Sequence, residues 1–141
     1  MTSVELTETP DRFVLRLADQ EVTRCSVDFA LTLVVGAAGN SLYLTMEQPF
    51  WFRPDEHSEE ERFAPETEPE RLGPVLLLLH RSVDEIVAQK DGLLVLRFAP
   101  SGAMTVPPSE EFEAWNIVGP DGLRIVAMPG GQLAVWKPRG A

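Results

Sequence analysis

The longest strongly apolar run in this chain is five residues, Val75 to Leu79. A membrane-crossing helix needs about 20 such residues, so no membrane span is expected. The other apolar residues come in short runs separated by Gly- and Pro-containing turns. Runs of that kind read as β-strands joined by tight connections. Phe13–Leu17 alternates partly. Val22 to Phe29 alternates better and runs on through Leu31–Val35, rich in β-branched residues. Ser41–Met46 returns as its hairpin partner across Gly36-Ala37-Ala38-Gly39-Asn40. Leu93–Phe98 and Ala103–Val106 form a second hairpin around Pro100-Ser101-Gly102. Ala114–Val118, Leu123–Met128 and Gln132–Trp136 form a meander through Gly119-Pro120-Asp121-Gly122 and Pro129-Gly130-Gly131. Ser109 is placed to accept backbone N–H bonds in a turn, and Lys137–Ala141 reads as a frayed tail. Val75–His80 fits a short helix opened by Gly73-Pro74, and equally a buried strand. The expected class is mainly β, or β-rich α+β. It has about nine short antiparallel strands in a sandwich or strongly curved sheet, with one or two short helices.

The charge is uneven. The chain carries a formal net charge of −10, from 22 acids against 12 Lys and Arg. Residues 55–70 hold Asp55, Glu56, Glu59, Glu60, Glu61, Glu66, Glu68 and Glu70 against Arg62 alone. The rest is nearly neutral. The same stretch holds Pro54, Pro65 and Pro69, and Phe63 as its one large apolar residue. It reads as a long exposed acidic loop over 54–71. That loop is either a solvated connection or a lure for a basic partner. The acidity and the scatter of the basic residues argue against a nucleic-acid binder.

The stretches on either side of this loop echo each other. The first holds Leu17-x4-Val22, then Cys25 and Val27, Leu31–Val35, Gly39, Leu42-Tyr43-Leu44 and Phe50. The second holds Leu78-x4-Val83, then Ile86 and Ala88, Leu94–Phe98, Gly102, Met104-Thr105-Val106 and Phe112. This predicts one domain over 1–141 built from two similar β units, about 12–53 and about 74–136, packed face to face. An open sheet edge in either unit could be closed by a homodimer.

Catalytic constellations are scarce. His57 and His80 are the only histidines. His57 lies beside Asp55, Glu56 and Glu59, where a hard divalent ion could sit, but EF-hand spacing and its glycine are missing. His80 reads as a structural histidine. Cys25, the one cysteine, excludes an internal disulfide and reads as a buried, inert thiol. Neither Gly-x-Ser-x-Gly, a Walker A loop nor Gly-x-Gly-x-x-Gly occurs. Paired carboxylates remain open as an enzymatic reading, with nothing singling out two of them. The expectation is therefore a protein without enzymatic activity, metal or cofactor. The N-terminus has neither the basic nor the apolar region of a signal peptide. With one unpaired thiol, that leads to the expectation of a cytoplasmic protein.

Phe50-Trp51-Phe52 stands just before the acidic stretch. On a strand, Phe50 and Phe52 face one way and Trp51 the other. One side is then a second buried layer or an exposed aromatic patch. The binding hypothesis places a basic protein partner against Trp51, Phe52, Asp55, Glu56, Glu59, Glu60 and Glu61, the aromatics anchoring and the acids steering. The alternative is a small-molecule-binding β domain with a pocket between the two units.

The C-terminal half carries a distinctive pattern: Glu111-Phe112-Glu113-Ala114-Trp115, Gly119-x-Asp121-Gly122, and Pro129-Gly130-Gly131-x-Leu133-Ala134-Val135-Trp136. With Leu94-x-Leu96-x-Phe98, it resembles a small family of uncharacterised actinobacterial single-domain proteins over roughly 74–136. That resemblance marks a family and brings no known activity with it. More loosely, the acidic β-rich chain is similar to immunity proteins of bacterial toxin systems. This implies a basic, toxin-like protein partner neutralised by occlusion.

Overall fold

The computed structural model describes residues 4–17, 19–37 and 39–139. Thirteen strands occur among them, in two antiparallel sheets that do not close into a barrel. The first six are β1 (Val4–Glu8), β2 (Arg12–Leu17), β3 (Val22–Val27), β4 (Leu31–Val35), β5 (Leu42–Met46) and β6 (Phe50–Arg53). Then come β7 (Glu61–Phe63), β8 (Ser82–Gln89), β9 (Leu94–Ala99) and β10 (Ala103–Val106). β11 (Trp115–Val118), β12 (Arg124–Ala127) and β13 (Leu133–Trp136) complete the set. A seven-stranded sheet A has the order β1-β2-β8-β9-β10-β6-β7, and a six-stranded sheet B has β13-β12-β11-β5-β4-β3.

The mainly β class follows from the short alternating runs, and the two hairpins and the C-terminal meander form as the turns dictate. The strand count exceeds the expected nine for identifiable reasons. The continuous run 22–35 breaks in two because the Asp28 carboxylate accepts the Ala30 N–H at 2.9 Å, turning the chain at Phe29. β1 forms by pairing with β2. β7 forms inside the acidic stretch by pairing with β6. Ser109 does accept a backbone N–H, that of Glu111 at 3.1 Å. The tail is tied down as far as Arg139, whose N–H donates to the Asp121 carbonyl at 2.7 Å. Ala38 in the first hairpin turn, and Gly140 and Ala141 of the tail, lie outside the described residues.

Residues 69–78 form a 3-10 helix, so Val75–His80 is neither a strand nor a helix opening at Pro74. Pro69 takes the first helical position, where its missing N–H costs nothing. Pro74 lies inside the helix. Leu72, Val75 and Leu78 point into the core, while Leu76 and Leu77 face solvent.

Each half supplies a three-stranded meander, β3-β4-β5 in sheet B and β8-β9-β10 in sheet A. The next strand then changes sheet. β6 follows β5 and pairs with β10, while β11 follows β10 and pairs with β5. The halves therefore do not form separate layers. The buried faces of both sheets meet in one apolar cluster that includes Leu15, Leu33, Leu44, Phe50, Ile86, Leu96, Trp115 and Ile117. Trp115 is fully buried, and its Nε1–H donates to the Gly92 carbonyl at 2.8 Å, tying sheet B to the β8–β9 turn. That turn touches a second one. A Cβ built on Gly92 would lie 2.6 Å from Gly131 Cα, so both turns need glycine at this crossing.

Candidate functional site

The alternation of β6 decides where its aromatics go. Phe50 and Phe52 are buried against Phe63 of β7, the Phe50 ring stacked on it at 5.8 Å between centroids and the Phe52 ring tilted to it at 6.2 Å. Trp51 points the other way and is 41% exposed. Phe52, expected at a partner-contacting surface with Trp51, is thus a core residue at 1% exposure, because adjacent strand residues face opposite sides. Trp51 is also separated from the acids it was expected to accompany. Its cross-strand neighbours are Arg62 and Thr105, and Arg53 shares its face two residues on.

The acidic stretch is an ordered hairpin and its extension, rather than an open loop. Asp55 shapes the turn after β6. Its Oδ1 accepts the His57 N–H at 2.8 Å and the Ser58 hydroxyl at 3.0 Å. The Ser58 bond, with the His57 N–H next, holds the Asp55 carboxyl below the usual range. The turn is anchored to its neighbour, since the Glu56 N–H donates to Ser101 Oγ at 3.2 Å. The half-buried Arg81 guanidinium braces both, donating to the carbonyls of Ala99 at 3.1 Å, Pro54 at 3.0 Å and Ser101. Gly102, at φ +115°, lets that strand connection pass beside the Pro54 carbonyl, where a Cβ would lie 2.6 Å away.

Along this scaffold Glu56, Glu59, Glu60 and Glu61 are exposed, and Asp55 is half-buried. Glu61 lies 4.0 Å from Arg71, which also meets Glu68 at 3.5 Å. His57 sits 3.6 Å from Glu56 in the open. No group of three metal-ligating side chains occurs among the described residues.

Between the β6–β7 hairpin and the 3-10 helix lies a depression of about 360 Å³. Phe52 and Phe63 form its aromatic floor, Pro54 and Pro74 its walls, and Ser58, Glu59 and Glu61 its polar rim. Three of the seven residues expected at a binding surface, Phe52, Glu59 and Glu61, therefore meet here. Trp51, on the opposite face of the sheet, does not join them. Among the lining residues missed from the sequence, Phe63 had a readable signal as the single large apolar residue in an acidic stretch. Pro54, Ser58 and Pro74 had none.

The remaining reactive side chains lie apart. His80 pairs with Glu21 at 3.2 Å on an exposed corner. Cys25 is a free, half-buried thiol on β3, and burial pushes its pKa up. Two smaller depressions lie at the margins of the sheets. One is lined by Tyr43, Val118 and Pro120, the other by Leu6, Glu8 and Lys137.

No curated protein and no solved structure matches the chain. A model of a family of unknown function, DUF6188, matches residues 13–137, and the chain belongs to that family.

Proposed function

We propose that this protein is a non-enzymatic binding module that captures a basic side chain of a protein partner at the β6–β7 hairpin. The observation that carries this reading is the depression with an aromatic floor and a carboxylate rim. A lysine or arginine has the complementary shape, an apolar stem under a cationic head. Its stem would lie along Phe52, Phe63 and the two prolines, and its head would reach Glu59 and Glu61. Glu56 and Glu60, exposed beside the rim, add a field that speeds encounter with a basic surface. Occlusion of a basic toxin-like partner, as an immunity-like protein would achieve it, is the physiological form we propose. A reducing cytoplasm suits the single free thiol.

The test is titration of the 15N-labelled protein with an arginine- and lysine-rich peptide, followed by amide shifts. Saturable shifts at Ser58, Glu59, Glu61 and Phe63 are expected, with affinity falling about tenfold or more in Glu59→Gln/Glu61→Gln. Shifts spread over all the acids, or unchanged in the variant, refute the pocket. Free arginine bears on the small-molecule alternative, because the same groups would hold a guanidinium without a protein attached. Saturation by arginine as tight as by the peptide would favour that alternative.

A further inference from the structure

The outer face of sheet A holds more arginines than acids, in a chain whose net charge is −10. The registers align one row across it, from Val14 through Val87, Val95 and Thr105 to Trp51, ending at Arg62. A second row runs beside it, from the exposed Glu5 through Arg16, Glu85, Arg97 and Ala103 to Arg53. Glu85 is shared, lying 3.4 Å from Arg97 and 3.6 Å from Arg16. Arg53 and Arg62 have no carboxylate within ion-pair distance among the described residues, and both are exposed. They flank Trp51, itself 41% exposed. A half-exposed tryptophan between two uncompensated arginines, at the end of an apolar stripe, has the composition of a binding hot spot.

We infer that this face is a second docking surface, and that it takes a short acidic segment of a partner protein in extended conformation. Charge complementarity selects the occupant, because the uncompensated cations call for carboxylates in a chain whose net charge is −10. Spacing refines it. Arg53 and Arg97, the latter sharing the single Glu85 carboxylate with Arg16, are two strands apart with the small Ala103 between them, a separation of about 10 Å. Carboxylates three residues apart share one face of a segment in the extended polyproline II form, where they are spaced by about 9 Å. An apolar residue between them would rest on Thr105 and Val95, with Trp51 closing the end. A nucleic acid fits less well. Its continuous phosphates would run on into the field of Glu59 and Glu60 on the same hairpin, whereas a short peptide ends before it.

The probe is a fluorescein-labelled peptide with glutamate at every third position and valine or leucine between. A single-stranded thymidine oligonucleotide of equal length serves as competitor class, and anisotropy is read at low and moderate salt. The peptide is expected to bind, more weakly as salt rises. Arg53→Glu/Arg62→Glu should weaken it about tenfold or more, and Trp51→Ala should do so with less salt dependence. Arg124→Glu, on the outer face of sheet B, should bind as the unaltered protein does. Glu59→Gln/Glu61→Gln should bind equally well or better, which separates this face from the hairpin pocket. If the charge reversal disturbs the fold by circular dichroism, Arg53→Gln/Arg62→Gln replaces it, with a smaller loss expected in the same direction. No binding of the peptide, equal binding by the Arg53/Arg62 and Trp51 variants, or tighter binding of the oligonucleotide through the same residues overturns the inference.

Discussion

Replacing Gly92 by alanine tests the close approach of the two turns against a matched control. Gly92 has φ +102°, and Gly122 has φ +85° with nothing within 4 Å of a Cβ placed on it. Conformational strain is common to both substitutions and amounts to about 1–2 kcal/mol. Gly122→Ala should cost that and little more. At Gly92 the new Cβ would lie 2.6 Å from Gly131 Cα and 2.7 Å from Pro108 Cβ. Carbon atoms rest about 3.5–4.0 Å apart, so the two turns must part by about 1 Å. Overpacking of this kind adds about 1–3 kcal/mol. The Gly92 carbonyl also accepts the bond from buried Trp115, so moving the turn weakens that bond too. Gly92→Ala should therefore cost about 3–5 kcal/mol. Gly131→Ala should couple to it, because turns already parted accommodate the second methyl. Urea unfolding at 25 °C, read by circular dichroism and tryptophan emission, supplies the numbers. Equal costs for Gly92→Ala and Gly122→Ala, within about 0.5 kcal/mol, would refute the contact between the turns.

Two further outcomes follow from packing and charge. Trp51→Ala should change stability by less than about 1 kcal/mol, as expected of a half-exposed surface residue. Trp115→Ala, which empties a fully buried site, should cost about 3–5 kcal/mol, and a reversal of that order in urea unfolding would refute the assignment of faces. Glu8 accepts Lys90 at 2.8 Å and lies 3.1 Å from Lys137, and these partners, Lys90 first, lower its carboxyl pKa. Its folded value thus lies below its unfolded one. The contribution is present above the unfolded value and is lost as pH falls through the folded one. Glu8→Gln should flatten that part of the acid limb of a stability–pH curve, and a limb identical to that of the unaltered protein would show that the bridges contribute nothing.

What was legible in the sequence was local. The hairpins at Gly39 and Gly102 and the meander through Asp121-Gly122 follow from turn chemistry and alternation, which the chain carries explicitly. Partner choice between strands is another matter. Nothing in Phe50–Arg53 states that β6 pairs with β10 and not with β5, since alternation fixes a face without fixing a neighbour. β7 was hidden for a related reason. Glu61-Arg62-Phe63 has only Phe63 as a strand-favouring residue, and pairing with β6 makes it a strand. The candidate pocket needed both facts. The exposure of Trp51 was half legible, because its strand alternates visibly, but which side meets solvent depends on where the second sheet lies.

The crossing of β6 and β11 between the sheets sets an order of events for synthesis on the ribosome. When residues up to about 80 have emerged, β3, β4 and β5 can pair, yet the outer edge of β5 awaits β11 at Trp115–Val118. β6 likewise has no β10 to join. The nascent first half therefore presents an unsatisfied strand edge and an uncovered apolar face that includes Leu33, Leu44 and Phe50 until the last third of the chain appears. Slow translation through the second half would lengthen that exposure, and holdase chaperones would be the natural guardians of the interval. A ribosome stalled before Trp115 would release a fragment inclined to pair with its own kind.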